Sequence, residues 1–235
     1  MLFAYNQGMT LSVIIPIFNE VNTLNTIVER VLETGLADEI LLVDDGSTDG
    51  TRALLAELDG KNRVRVILHE RNQGKGAAVR TGLAAARGDV LLIQDADLEY
   101  DPKDYPALLK PIEEGRADVV YGSRFLGGPR RVTMYWHMLA NQLLTLTTNL
   151  LYNTILSDME TGYKVFRRQA LEGVTLRANR FDFEPEITAK LLKRRRRLFE
   201  VPISFNPRSY AEGKKIRMRD AFAAIWALVK YRFMD

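Results

Sequence analysis

Four apolar runs, Leu11 to Ile17, Glu39 to Val43, Val64 to Leu68 and Asp89 to Ile93, constrain this chain's fold more than any other feature. Each is nearly continuous rather than alternating, and rich in Val, Ile and Leu. A strand with one wet face alternates; a continuous run is covered on both faces, as parallel strands between helix layers are. Between the runs, spacings such as Leu24, Ile27, Val28, Val31 and Leu32 place apolar side chains on one helix face. A helix around Pro106 to Glu114 and a fifth strand, Asp118 to Tyr121, continue the rhythm. Strand alternating with helix predicts an α/β fold with a parallel sheet and right-handed crossovers.

From about residue 125 the rhythm changes. A Gly-Gly-Pro-Arg-Arg loop, Gly127 to Arg131, leads into an uncharged segment, Val132 to Ser157. That segment carries His137, Asn141, Gln142, Asn149 and Asn153, too many polar groups for a lipid-exposed span, so it reads as amphipathic. A strand at Tyr163 to Phe166, a helix at Pro185 to Lys193, a strand at Leu198 to Ile203 and a helix near Asp220 to Phe233 follow. There is no internal repeat and no low-complexity linker, so the expectation is a single domain over residues 1–235, without a transmembrane span.

The 235 residues are 46% apolar, enough to bury a sizeable core. With no cysteine, disulfides and thiolate metal sites are excluded. Met1 to Thr10 lacks the basic and apolar regions of a signal peptide. Together these suggest a cytoplasmic location. The net charge is only +3, yet Lys193-Arg194-Arg195-Arg196-Arg197 form a basic run. It is either a solvated helix face or a contact for anionic lipid or phosphate.

Chemistry concentrates where the apolar runs end. Asp95-Ala96-Asp97 follows the fourth run, and residues two apart in extended chain point the same way, so both carboxylates can face one site. That site is the carboxyl end of a parallel strand, where open α/β sheets bind ligands. Two hard oxygen ligands suit Mg²⁺ or Mn²⁺, with diphosphate oxygens and water completing the shell. The second run ends in Asp44-Asp45-Gly46-Ser47-Thr48-Asp49-Gly50. A capped turn accounts for Ser47 or Thr48 as N-cap and Asp49 near the helix dipole. It does not require two adjacent acids, one of which can accept hydrogen bonds from a base or ribose. The first run ends in Pro16-Ile17-Phe18-Asn19-Glu20, with Asn19 a candidate cap. The third ends in Asn72-Gln73-Gly74-Lys75-Gly76, where small residues permit close backbone approach and a phosphate at a helix N-terminus. Neither a P-loop nor a Gly-x-Gly-x-x-Gly fingerprint is present.

In this order, Pro-x-Phe-Asn-Glu, Val-Asp-Asp-Gly-Ser-Thr-Asp-Gly-Thr, Asn-Gln-Gly-Lys-Gly and Asp-Ala-Asp-Leu-Glu resemble family 2 glycosyltransferases of the GT-A fold. Within that family the chain resembles the polyprenyl-phosphate (dolichol-phosphate) mannose or glucose synthases over roughly residues 10 to 220. The resemblance implies a GT-A-type, Rossmann-like mixed and mostly parallel sheet flanked by helices. About residues 10–124 would form the nucleotide-binding half and 125–235 the acceptor side. It implies that Pro16, Phe18, Asn19, Glu20, Asp44 and Asp45 line the nucleotide pocket with Lys75 nearby, and that Asp95, Ala96 and Asp97 form the metal motif. It gives Arg124 to the sugar diphosphate, Arg208 and Lys214 to a basic loop over the phosphates, and Asp158 to an acceptor-side Asp-x-x-x-Gly element. Phe183-Glu184-Pro185-Glu186 occupies the acidic helix start before that loop.

The implied reaction is inverting transfer of a hexose from a GDP-mannose or UDP-glucose type of donor to a polyprenyl phosphate. Metal, Arg124, Arg208 and Lys214 would stabilise the leaving diphosphate. A phosphate acceptor is already anionic and needs no strong base, whereas a hydroxyl acceptor would need one, with Asp158 the candidate. Three alternatives stay open: a soluble hydroxyl acceptor, a nucleotidyltransferase, and a non-catalytic nucleotide-sugar-binding module. Met134 to Leu156 and Ala221 to Phe233 are either core or a membrane-surface contact. Peripheral association with the cytoplasmic membrane face and a homodimer are both compatible with the sequence; nothing points to nucleic acid.

Overall fold

The computed structural model of the chain describes residues 8–132, 135–208 and 218–234. The strands are β1 (Leu11–Ile17), β2 (Glu39–Asp44), β3 (Val64–Leu68), β4 (Val90–Ile93), β5 (Val119–Ser123), β6 (Lys164–Arg167) and β7 (Leu198–Pro202). The helices are α1 (Leu24–Glu33), α2 (Thr51–Leu58), α3 (Lys75–Ala85), α4 (Tyr105–Glu113), α5 (Tyr135–Tyr152), α6 (Phe183–Lys193) and α7 (Met218–Phe233). All seven strands join one sheet in the order β3-β2-β1-β4-β6-β5-β7.

The continuous apolar runs are covered on both faces, as expected. Val13 and Ile15 of β1 pack with Ile27 and Val31 of α1, Leu55 of α2 and Leu108 of α4. Ile14, between them, packs to the other side with Val79 of α3, Leu144 of α5, Ile187 of α6 and Leu228 of α7. Strand pairing is parallel except at β6, which runs antiparallel to both β4 and β5. The cause is the route of the chain. Arg124, just past β5, contacts Asp158, just before β6, so the chain between them begins and ends at one edge of the sheet. β6 must therefore start where β5 stops.

Helix α5 has two unlike faces. Asn141, Leu144, Thr145 and Thr148 are buried, whereas Trp136, Leu139, Leu143, Leu146 and Leu150 are exposed. Three arginines of the basic run at the end of α6 are tied to nearby chain. Arg194 donates to the Gly173 carbonyl at 2.7 Å, Arg196 to Ala170 at 3.2 Å, and Arg197 pairs with Asp118 at 2.7 Å. These side chains fasten the end of α6 to its neighbours.

β1 lies between β2 and β4, so the strand order reverses there. Such a reversal opens a crevice at the carboxyl ends of the strands.

Candidate active site

The crevice is a cavity of about 460 Å³. Pro16, Phe18 and Glu20 reach it from the end of β1, Asp45 from the end of β2, Lys75 from the start of α3, and Asp95, Ala96 and Asp97 from the end of β4. Arg124 enters from the end of β5 and Arg208 from the chain after β7. Segments more than a hundred residues apart in sequence thus converge on one hollow. Lys214 lies outside the described residues.

Asp95 and Asp97 do share the site. Lys75 Nζ lies 2.9 Å from Asp95 Oδ1 and 3.1 Å from Glu184 Oε1. Burial alone would lower the Lys75 pKa, but Asp95 and Glu184 outweigh it and raise it well above its ordinary value. Asp97 is different. Burial first, then the nearby Asp95 and Glu99 charges, push its carboxyl up to about 7, against partial relief from Arg208. One Arg208 nitrogen lies 3.2 Å from Asp97 Oδ2 and 3.2 Å from Glu20 Oε1. Two like-charged carboxylates on one wall form a hard oxygen donor set with electrostatic need for a cation, which fits Mg²⁺ or Mn²⁺.

Arg124 is anchored by Asp158. Its Nε donates to Asp158 Oδ2 and its terminal nitrogen to Oδ1, each at 2.7 Å, while its backbone N–H donates to Oδ2 at 3.0 Å. Asn141 Nδ2 supplies a fourth donor to Oδ1 at 3.1 Å. Asp158 is fully buried and its acceptor positions are taken. Asp158 does not line the cavity, and its bonds hold Arg124 rather than turning a carboxylate oxygen toward a ligand, at odds with the expectation of an acceptor contact or base. The guanidinium lies over the Phe205 ring at 5.1 Å, which fixes it further.

Three other expectations are corrected. Asp44 does not line the cavity: its buried carboxylate accepts from the N–H groups of Gly46 and Ser47 and from Arg52 Nε at 2.8 Å, so it builds the turn. Its neighbour Asp45 faces the cavity, held by the N–H groups of Gln73 and Gly74 and by His69 Nδ1 at 2.8 Å. Asn19 caps no helix. It sits at φ 55°, accepts from the Thr48 N–H, and lines an adjoining hollow that shares Glu20, Asp97 and Arg208 with the cavity. Neither Ser47 nor Thr48 caps α2; Gly50 occupies that position and Asp49 accepts from the Thr51 N–H.

The small residues before α3 do permit a close approach, but of the chain's own backbone. A Cβ on Gly74, at φ 106°, would lie 2.2 Å from the Asn179 carbonyl oxygen, which also accepts from the Ala77 N–H. That end of α3 is therefore covered by Asn179 rather than free for phosphate. Gly162 answers to a similar constraint, since a Cβ there would meet Asp95 Oδ2 at 2.2 Å. The glycine of the Asp-x-x-x-Gly element is what lets the chain entering β6 pass Asp95.

Sequence reasoning gave Glu160 and Glu184 no role in the cavity, yet both line it. Burial first, then the Glu184 charge, raise the Glu160 carboxyl to about 8. Burial lowers the Lys164 ammonium beside them to about 8. Glu184 stood at a recognised acidic helix start; nothing local distinguished Glu160 from a surface acid.

The family model for glycosyl transferase family 2 matches residues 12–175. The chain belongs to that family. It is 33% identical over 211 residues to a dolichol-phosphate mannosyltransferase of Pyrococcus furiosus, covering 88% of this chain and 59% of that protein. It therefore spans less than two thirds of that relative's length. It is also 33% identical to a polyprenol monophosphomannose synthase of Mycolicibacterium smegmatis, over 92% of this chain and 86% of that one. Glucosyl-3-phosphoglycerate synthase from Mycobacterium tuberculosis, solved with Mn²⁺, UDP and phosphoglyceric acid, superposes with a TM-score of 0.73 at 22% identity. That match covers 97% of this chain and 80% of the solved one. The fold is GT-A, a mixed and mostly parallel sheet flanked by helices.

Proposed function

We propose that this family 2 glycosyltransferase transfers a hexose, with inversion, from a GDP- or UDP-sugar to a polyprenyl phosphate. The observation that carries the reading is the convergence of Asp95, Asp97, Arg124 and Arg208 on one cavity. A divalent cation, held by Asp95 and Asp97, would supply charge for the departing diphosphate. Arg124, fixed by Asp158, and Arg208, held between Glu20 and Asp97, would add positive charge beside the departing diphosphate. Asp45 and Phe18 line the part of the cavity that this reading gives to the base and ribose.

The relatives' names speak for a lipid phosphate acceptor, and so does Asp158. A hydroxyl acceptor needs a base, and the carboxylate expected to serve is wholly occupied. A phosphate with a second pKa of about 6 is already a nucleophile near neutral pH.

We place the acceptor at a membrane surface. Trp136, Leu139, Leu143, Leu146 and Leu150 form a stripe at alternating spacings of three and four along α5, with Arg130 and Arg131 exposed just before it. No helix among the described residues is long and apolar enough to cross a membrane, so an apolar stripe lying on the surface suits the lipid's location.

The reading is tested by offering GDP- and UDP-hexoses with a short-chain polyprenyl phosphate, and separately with soluble hydroxyl acceptors such as glycerate phosphates. Transfer to the lipid phosphate with release of nucleoside diphosphate is expected. Transfer only to the soluble acceptor, or release of pyrophosphate, would overturn it.

A further inference from the structure

The chain has two histidines, and one of them, His69, is the first residue after β3. Its backbone N–H donates to the Asp44 carbonyl at 2.8 Å and extends the pairing of β2 and β3 by one step. Its carbonyl accepts from the Arg52 guanidinium, which also holds the Asp44 carboxylate. With the backbone tied on both sides, the ring has a set position. Nδ1 lies 2.8 Å from Asp45 Oδ1, and Nε2 lies 2.9 Å from Thr81 Oγ1 on α3. His69 itself is not part of the cavity lining, whereas Asp45 is.

The two bonds decide where the ring's proton sits. A carboxylate only accepts, so Nδ1 carries the hydrogen that meets Asp45. The Thr81 hydroxyl can donate to Nε2, which keeps that tautomer. The effect on Asp45 is unequal. Oδ1 accepts from His69 Nδ1 and from the Gln73 N–H at 2.9 Å, which fills both its lone pairs. Oδ2 accepts from the Gly74 N–H at 2.7 Å and keeps one lone pair. Without the His69 donor a position would open on Oδ1 as well, and a ligand would meet a less defined acceptor.

We propose that His69 is a positioning residue for the nucleotide. By filling Asp45 Oδ1 it commits Oδ2 to an N–H or O–H of the base or ribose. This rests on the glycosyl-transfer reading above, which gives that part of the cavity to the base and ribose. His69 makes no bond to Asp95, Asp97, Arg124 or Arg208, so its effect is confined to the nucleoside and leaves the diphosphate end alone. Thr81 acts one step further back, through the ring.

The test separates the two ends of the ligand. Calorimetry with Mg²⁺ measures binding of a nucleoside diphosphate, and of inorganic pyrophosphate, to wild type, H69L and H69N. H69L removes the donor; H69N keeps one close to the place of Nδ1. H69L is expected to bind the nucleoside diphosphate about 10- to 100-fold more weakly, the loss typical of a hydrogen bond to a charged group. It should bind pyrophosphate within about twofold of wild type, and H69N should recover most of the nucleoside diphosphate affinity. In steady state the loss should fall on the donor KM rather than on kcat. An equal loss for both ligands, an H69N as weak as H69L, or no loss at all would overturn the proposal. ¹⁵N NMR of the wild-type ring, assigned by its absence from H69N, keeps the test independent of how H69L folds. Nδ1 should be protonated and should shift with nucleoside diphosphate but not with pyrophosphate; a bare Nδ1, or equal shifts, would overturn the proposal. If wild type binds the nucleoside diphosphate and His69 proves indifferent, the transferase reading stands. If wild type binds no nucleoside diphosphate, both fall together.

Discussion

Arg124 and Asp158 form a two-pronged pair, with Nε to Oδ2 and the terminal nitrogen to Oδ1 both at 2.7 Å, and Asp158 has no solvent exposure. A carboxylate held this way orients a cation; it is in no position to take a proton from an acceptor. D158N keeps the shape but loses one acceptor and the charge. It is expected to lower kcat/KM by about 10²–10³, in the range for removing one preorganised stabilising group. The D158N/R124K double variant should be little worse than the poorer single one, because the two residues act as a unit. Steady-state kinetics across pH checks this. Loss of a titrating limb of the pH profile in D158N alone, with additive effects in the double variant, would restore Asp158 as the base.

The apolar stripe on α5 makes a second prediction. Leu143 and Leu146 are each 54% exposed, so replacing both with Glu leaves the core intact. Each leucine is worth about 1.5–3 kcal/mol when moved from water into an apolar medium. Flotation with vesicles containing anionic lipid should show at least about a tenfold loss of binding for L143E/L146E, with an unchanged melting temperature. If flotation stays as in wild type while a dimer on size exclusion dissociates, the stripe faces a second copy instead.

Glu186 carries a stability prediction with a definite pH sign. Its carboxylate is fully buried, 2.7 Å from Lys190 Nζ and 2.7 Å from the Ala178 N–H. Burial opposes ionisation, but the bonds from Lys190, Ala178 and Arg177 outweigh it and lower the pKa below 4.5. A depressed carboxyl adds stability that is present above its unfolded pKa and lost as pH falls through its folded one. E186Q should therefore cost about 3–5 kcal/mol near pH 7, the range for breaking a buried pair, and much less at an acid pH below the folded pKa of Glu186. Denaturant melts at the two pH values measure this; an equal loss at both would contradict the assignment.

The sheet was largely legible in the sequence because its signal is local. Strands buried on both faces must read as continuous apolar runs, and the four runs from Leu11 to Ile93 each became a strand. Asp95 and Asp97 were legible as a pair just past a strand end, but Ala96 and Asp97 lie in a turn, so that turn and not the alternation of an extended chain brings both to the cavity. What could not be read depends on distant partners. Adjacent residues at a strand end point opposite ways, so only one of Asp44 and Asp45 could face the cavity; Asp44 turns instead to Arg52 and the turn N–H groups. The role of Asp158 was set by Arg124 and Asn141, which only the folded chain brings together. The approach of Asn179 to Gly74 joins segments about a hundred residues apart. No local pattern announces such contacts.

The account stands on Asp95 and Asp97 presenting a cation to a diphosphate. Calorimetric titration of UDP and GDP, with and without Mn²⁺, against wild type and D97N addresses this directly. The account predicts that Mn²⁺ tightens nucleoside diphosphate binding to wild type by about tenfold or more, and that D97N abolishes the metal's effect. Metal-independent binding, unchanged by D97N, would contradict it.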